Sequence, residues 1–266
     1  MKILLFLLIP ILLYAQFNPQ DANTTNVWRG DLSKTLEVDS VTTWTDQIGS
    51  YAASQSTANA KPLNGTHYLT FDGDDHLSVA SPSPNQDVGT GDFTWSVGFN
   101  VTDLTRDDWA GKYVNSSNFF QFWQSNGQVA IQYRLAGVDA VLALSVNANL
   151  FTANTFVAMV VTCDRDGNAQ FYISDSGAVS TTTTTMTTTN IDLNTSFQIG
   201  SRRTTANYMT GDLYYIQLDN TLRDATWASN MISFLESGYS KGNFNPSSGY
   251  EQRHTKITNL NRLKRH

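Results

Sequence analysis

Cysteine and glutamate are the two residue types that this chain of 266 residues contains least. Cys163 is the sole cysteine, so an intramolecular disulfide is excluded and the fold must depend on its core. Glutamate occurs only at Glu37, Glu236 and Glu251, which leaves Asp as 20 of the 23 acidic residues. Since surface helices favour Glu, Lys and Ala, whereas Asp favours turns, this composition predicts strands joined by polar turns.

The chain also lacks an apolar run long enough to span a bilayer. Residues 3–15 form a shorter run, which Pro10 interrupts and which ends at the small residue Ala15. This pattern predicts a signal peptide over residues 1–15 and a mature chain that starts at Gln16, with an uncleaved anchor as the alternative. We therefore expect a secreted or cell-surface protein that does not span the membrane after cleavage.

The net charge of −6 is unevenly distributed. Residues 241–266 carry six Lys or Arg against Glu251, a local +5, so the remainder carries −11. An acidic body lacks the clustered cations that bind phosphates, which argues against a nucleic-acid partner. Periodicity is also lost after Gly238, and we predict a flexible basic tail over residues 239–266.

Apolar and polar residues alternate with a period of two in several segments, as in strands with one buried face. Residues 93–101 and 129–135 show this pattern, whereas residues 156–161 are apolar throughout, which is typical of a strand buried on both faces. After the last strand, Asp224 can cap a short helix. The prediction is an all-β domain over residues 16–238 with one short C-terminal helix.

Four segments in a fixed order carry a likeness to a known family. Residues 41–49, VTTWTDQIG, match W-x-D-x-S-G with Ile48 at the Ser position. Residues 69–79, LTFDGDDHLSV, match L-x-F-D-G-x-D-D-x-L-x-V almost throughout, with one position fewer after Gly73. Residues 93–97 and the closing strands between 160 and 213 complete the series. The chain resembles bacterial and phage laminin-G-like, pentraxin-related domains of the concanavalin A-like lectin/glucanase superfamily. This resemblance implies a two-sheet antiparallel jelly-roll sandwich.

That superfamily contains lectins, adhesion modules, enzyme appendages and glucanases, so the fold alone does not give the function. Retaining glucanases on this fold place two Glu on one strand, and no pair of the three glutamates has that spacing. The chain has four His. Its Gly-x-Ser-x-Gly sequence, residues 238–242, follows the predicted helix instead of joining a strand to a helix, and its Gln-x-His sequence, residues 252–254, lies in the predicted tail instead of a strand. The inventory predicts a protein that is not an enzyme.

Three carboxylates surround a Gly turn at Asp72, Asp74 and Asp75, and calcium prefers such oxygen ligands. Some relatives bind calcium, which implies Asp74 or Asp75 as a ligand here. A further acid of the family falls at Tyr214 in this chain. The alternative is a hairpin whose Asp side chains bond their own backbone.

Strand parity indicates a ligand-binding face. If Phe120 and Phe122 face the core, Gln121 and Trp123 face outward, and by the same parity Gln132 and Arg134 face outward on the next strand. An aromatic ring flanked by amides and a guanidinium suits a sugar. Trp109 is expected in a loop, as a second platform. The alternative is that Trp123 packs beneath a loop.

We therefore predict an extracellular, non-catalytic module that binds glycan or a glycosylated surface. The first alternative is a structural or adhesion protein, such as a phage virion or cell-surface component, that uses the sandwich for protein contacts. The second is a glycan-active hydrolase or lyase. The sequence leaves the ligand and the oligomeric state open.

Overall fold

The computed structural model describes residues 17–49, 51–81, 86–145, 147–174, 176–179, 181–202 and 207–240. The predicted signal peptide over residues 1–15 and residues 241–266 of the predicted tail lie outside these ranges. No helix in these ranges has the length and apolar character needed to cross a membrane.

Antiparallel strands build two sheets, and the first sheet carries the residues of functional interest. From one edge to the other it consists of β2 (Lys34–Glu37), β3 (Ser40–Thr45), β4 (Ala52–Ser54), β7 (Leu77–Val79), β17 (Phe197–Ile199), β9 (Asp107–Asn115), β10 (Asn118–Ser125), β11 (Gln128–Leu135), β12 (Val138–Ser145) and β16 (Thr181–Met186). Thr-rich β16 pairs with β12 alone among the described strands, so it is the polar edge strand that its composition favours.

The second sheet is built around the longest strand of the chain. Its strands are, in order, β1 (Thr24–Arg29), β18 (Thr210–Asp219), β8 (Phe93–Val101), β13 (Val157–Cys163), β14 (Ala169–Ile173) and β15 (Gly177–Val179). Beside β1, β6 (Leu69–Asp72) pairs with the other half of β18, and β5 (Leu63–Asn64) joins β6 to β3. The chain crosses repeatedly between the sheets, as in a jelly roll.

Aromatic side chains from both sheets meet in one continuous core. Trp95 of β8 stacks on Phe120 of β10, with ring centroids 5.7 Å apart, and on Phe197 of β17 at 6.0 Å. Such contacts bind the two inner faces together. Cys163 is also fully buried, and burial raises the pKa of its thiol, as expected of an inert structural cysteine.

The one α-helix of the described residues, α1 (Ala225–Leu235), covers part of the outer face of the second sheet. The Asp224 carboxylate accepts a hydrogen bond from the Trp227 backbone N–H at 2.7 Å, which caps the helix. The buried side chains of Met231 and Leu235 lie on the side of the helix that packs on β13 and β14. This cover explains why β13 is apolar on both faces.

The ordered body continues beyond residue 238, where the sequence predicted the tail to start. A π-helical turn extends α1 through Glu236–Ser240, and Tyr239 is buried. Its ring packs against Tyr214 and Tyr215, and its hydroxyl donates to Asp31 at 3.1 Å. Residues 239 and 240 are therefore structured, and the predicted tail beyond them stays a prediction.

Candidate functional site

The outer face of the first sheet carries a row of polar side chains. Cross-strand pairing aligns Gln198 of β17 with Gly111 of β9, Gly111 with Gln121 of β10, and Gln121 with Gln132 of β11. The neighbours Phe120 and Phe122 point into the core, so parity places Gln121 and Trp123 on the opposite face. The row therefore lies on the outer face of the first sheet, where Gln121, Gln132 and Gln198 are themselves buried.

The two amides at the centre of this row bond to each other and to their surroundings. The Gln121 Nε2 donates to Gln132 Oε1, and the Gln132 Nε2 donates to Asp139 Oδ1 at 2.7 Å. The Gln121 Oε1 accepts from Arg106 Nη2 at 3.1 Å and from Arg202 Nη1. The orientation of both amides is thus fixed by hydrogen bonds.

Three arginines gather around these amides, each beside a carboxylate. Arg106 donates through Nε and Nη2 to Asp108, both at 3.0 Å, and Arg202 Nε lies 3.7 Å from the same carboxylate. Arg134 donates through Nε and Nη2 to Asp139 at 2.7 and 3.3 Å. We call Arg106, Arg134, Arg202, Gln121 and Gln132 the arginine–glutamine cluster.

Aromatic rings support the guanidinium groups of this cluster. The Arg106 guanidinium carbon lies 3.8 Å from the centre of the Trp123 ring, which is half-buried. Phe119 lies beside two further guanidinium groups, 4.7 Å from Arg202 and 5.4 Å from Arg134. These cation–π contacts hold the planar groups in place. Arg106 therefore covers one face of the Trp123 ring.

Trp109 is not part of this surface, which corrects the sequence prediction. It lies in β9 instead of a loop and is fully buried, with its ring 4.3 Å from Phe99 and 5.1 Å from Phe122. A register shift in the pairing of β9 with β10 marks a β-bulge, because Phe122 pairs with Ala110 and Trp123 with Asp108. The bulge adds one residue at Trp109, so its side chain also faces the core.

Gly111 leaves space for Arg202, which lies in the loop after β17. A Cβ at Gly111 would lie 2.9 Å from the Cα of Arg202 and 2.7 Å from the carbonyl oxygen of Phe120. Any other residue at Gly111 would therefore push this backbone away from the sheet. Arg202 thus lies directly over the sheet face and reaches Gln121, 81 positions away in sequence.

Strand parity predicted that Gln121, Trp123, Gln132 and Arg134 share one face, and the structure places these four there; their role in binding stays a prediction. The sequence analysis did not single out Arg106, Arg202 and the two carboxylates, because these come from the bulged start of β9, the loop after β17 and the start of β12. Parity could have indicated Phe119, two positions before Gln121.

A polar cleft of about 730 Å³ lies on the same sheet face, beyond Gln198. The Gln55 Nε2 contacts the His76 Nε2 at 2.9 Å, and burial lowers the pKa of His76. The Lys61 ammonium pairs with Glu37. No aromatic ring other than His76 lines this cleft, so it lacks the platform that Trp123 gives the cluster.

The three predicted calcium ligands lie together at the turn after β6. One oxygen from each of Asp72, Asp74 and Asp75 lies within 4.8 Å of the others. The turn also makes its own bonds, since the Asp72 N–H donates to Asp75 Oδ2 at 3.1 Å and the Asp74 N–H to Asp72 Oδ1 at 3.4 Å. Burial, with the adjacent charge of Asp72, raises the pKa of Asp75 to about 7.

No protein-family model matches the chain, and no curated protein sequence matches it. Among solved structures it is similar to the binding domain of Paraclostridial Mosquitocidal Protein 1, at 10% identity and a TM-score of 0.58, over 81% of this chain and 52% of that chain. It is also similar to Trypanosoma rangeli sialidase in complex with 2,3-difluorosialic acid, at 13% identity and a TM-score of 0.55, over 83% of this chain and 34% of that chain. A third match is Ruminococcus gnavus IT-sialidase CBM40 bound to α2,3-sialyllactose, at 10% identity and a TM-score of 0.49, over 64% of this chain and 96% of that chain.

The matched region thus covers about a third of the length of the sialidase and about half of the length of the mosquitocidal binding domain. At such low identities the likeness shows a shared β-sandwich fold.

The core position of Trp109 and the outer position of Trp123 predict different losses of stability when each side chain is truncated. Trp109→Ala should lower the free energy of unfolding by about 3–5 kcal/mol, because it leaves a cavity in the core. Trp123→Ala should lower it by only about 1–2 kcal/mol, because it removes mainly the contact with Arg106. Urea unfolding of both variants measures the difference, and equal losses would show that Trp123 is a core residue.

The raised pKa of Asp75 predicts a pH-dependent stability. Between about pH 4 and pH 7 the folded state keeps a proton on Asp75 that the unfolded state has lost, so the free energy of unfolding falls as pH rises. The Asp75→Asn variant has no carboxyl group to ionise at this position, so its free energy of unfolding should fall less between pH 5 and pH 8. Denaturant unfolding at both pH values tests this. Asp107, whose pKa burial also raises to about 7, contributes the same background to both proteins.

Proposed function

We propose that this chain is a non-catalytic, extracellular recognition module that binds carbohydrate or a glycosylated surface. The observation that carries the proposal is the arginine–glutamine cluster with the half-buried ring of Trp123 on the outer face of the first sheet. Amides and guanidinium groups bind sugar hydroxyls, and an aromatic ring contacts the apolar side of a sugar. Laminin-G-like domains are the family that we propose for it.

The position of the cluster supports a binding role. Helix α1 covers part of the outer face of the second sheet, whereas Arg106 and Arg134 on the first sheet keep 31% and 35% of their side chains exposed. One of the similar solved structures is itself a binding domain, that of the mosquitocidal protein.

The carboxylates of this face are poorly suited to acid–base catalysis. Burial acts to raise the pKa of Asp139, but hydrogen bonds from Arg134 and Gln132 outweigh it and leave the pKa lowered. Asp108 is fully buried and lies between two arginines. A general acid needs a pKa near the working pH and reach to the substrate, and neither carboxylate combines the two.

The adhesion alternative has one observation in its favour. Leu36, Val38 and Leu63 are exposed by 46%, 89% and 50%, and all three belong to strands or turns at the β2–β3–β5 corner. Exposed apolar groups of this kind favour protein contacts. They are few, and the polar cluster is the more specific feature.

A glycan array, followed by calorimetry on the best binder, tests carbohydrate recognition. Trp123→Ala should weaken binding by about tenfold or more, because it removes both the ring and the support of Arg106. Trp227→Ala is the matched control, since Trp227 also lies under an arginine, Arg223 at 4.6 Å, but belongs to α1 on the other sheet. Equal weakening in both variants would contradict the assigned face, and an array without any binder would favour the adhesion alternative.

We also propose that Asp72, Asp74 and Asp75 hold calcium, because three carboxylate oxygens lie close enough to share one ion. A bound Ca²⁺ would hold Asp75 as a carboxylate and lower its raised pKa. At pH 8, calcium should therefore raise the melting temperature of the wild type relative to chelator and leave Asp75→Asn unchanged. Identical wild-type melting in calcium and chelator would leave only the hairpin interpretation.

A further inference from the structure

The arginine–glutamine cluster carries an excess of positive charge on an acidic protein. Its guanidinium groups, Arg106, Arg134 and Arg202, face the carboxylates of Asp108 and Asp139, three cations against two anions. Residues 1–240 together carry a net charge of −11. A densely charged polyanion would meet repulsion from this body, whereas a single small anion at the cluster would meet mainly the local cations.

Two of the guanidinium groups retain donors beyond their ion pairs. Arg106 and Arg134 each use Nε and Nη2 towards an aspartate, and Nη1 takes part in neither pair. Both side chains are about one-third exposed. A guanidinium edge presents parallel N–H groups that match the two oxygens of a carboxylate.

The donors are also held in place before a ligand arrives. The ring of Trp123 packs against the Arg106 guanidinium, and the ring of Phe119 lies beside that of Arg134. Arg106 also donates a hydrogen bond to the side-chain Oε1 of Gln121. Side chains ordered in advance lose little conformational entropy on binding, which favours affinity and specificity.

We infer that the arginine–glutamine cluster recognises the carboxylate of an acidic sugar residue, with Arg134 as the donor to that group. This inference rests on the proposed carbohydrate-binding function and narrows it to one class of ligand. The amides of Gln121 and Gln132 are buried and hydrogen-bonded within the cluster, so Arg106 is the group that would contact the neighbouring hydroxyls.

Matched ligands test the inference directly. Calorimetry should compare 3′-sialyllactose and tetragalacturonic acid, each with its carboxyl-reduced form, in which the carboxylate becomes a neutral alcohol. We expect at least one carboxylate-bearing member to bind the wild-type protein about tenfold or more tightly than its reduced form, because charge-assisted hydrogen bonds are lost on reduction. Raising the salt concentration should narrow that difference.

Variants of the protein provide the second test. Arg134→Gln should remove most of the preference for the carboxylate while leaving the affinity for the reduced form nearly unchanged. Arg134→Lys keeps the charge but loses the planar pair of donors, so it should retain only part of the preference. Lys61→Gln, which removes one cation from the polar cleft on the same sheet face, is the matched control and should retain the full preference. Melting temperatures establish that each variant is folded.

The outcomes separate this inference from the proposed function. Equal affinity for every carboxylate and its reduced form, or binding of the reduced forms alone, would overturn the inference and leave carbohydrate binding standing. An oligosaccharide whose only charged group is a sulfate ester would overturn the choice of anion if it bound as tightly as the carboxylate ligand. Loss of the preference in Lys61→Gln but not in Arg134→Gln would move the site to the cleft and also overturn the inference. If no glycan of any kind binds, the proposed function itself fails.

Discussion

The stack of Trp95 between Phe120 and Phe197 is the contact on which the rest of the structure depends. The three rings are nearly parallel, with interplanar angles of 14° and 9°, and they join the second sheet to two strands of the first. Because β10 and β17 must turn these rings inward, their neighbours Gln121 and Gln198 must turn outward. Core packing therefore sets the composition of the outer face.

The two outer faces of the sandwich have different partners within the chain. On the second sheet, β13 presents apolar side chains outward, and α1 covers them with Met231 and Leu235. On the first sheet, the outer side chains of β10 and β11 are amides, an indole and a guanidinium, which are satisfied by ion pairs and hydrogen bonds near the surface. An apolar face needs an internal cover, whereas a polar face that is already hydrogen-bonded can stay open to a ligand.

The arrangement of charges on this face supports the recognition role that we propose. Each carboxylate beside the cluster forms an ion pair with arginine. The groups that remain for a ligand are therefore hydrogen-bond donors. Donors fixed by aromatic support suit a ligand with a defined pattern of acceptors. The exposed apolar residues at the β2–β3–β5 corner lie in other strands and leave room for a separate contact with a protein partner.

The sequence by itself determined the fold class, the capped helix and the outward direction of Gln121, Trp123, Gln132 and Arg134, because a period of two and a capping residue are local signals. Only the tertiary structure decided the rest. A bulge in β9, invisible in composition, turned Trp109 into the core instead of a loop. Arg202 joined the site across 81 residues because Gly111 leaves space over the sheet, and Tyr239 extended the body because its ring found an aromatic pocket. Long-range contacts of this kind depend on how the sheets pair and pack, which no local pattern encodes.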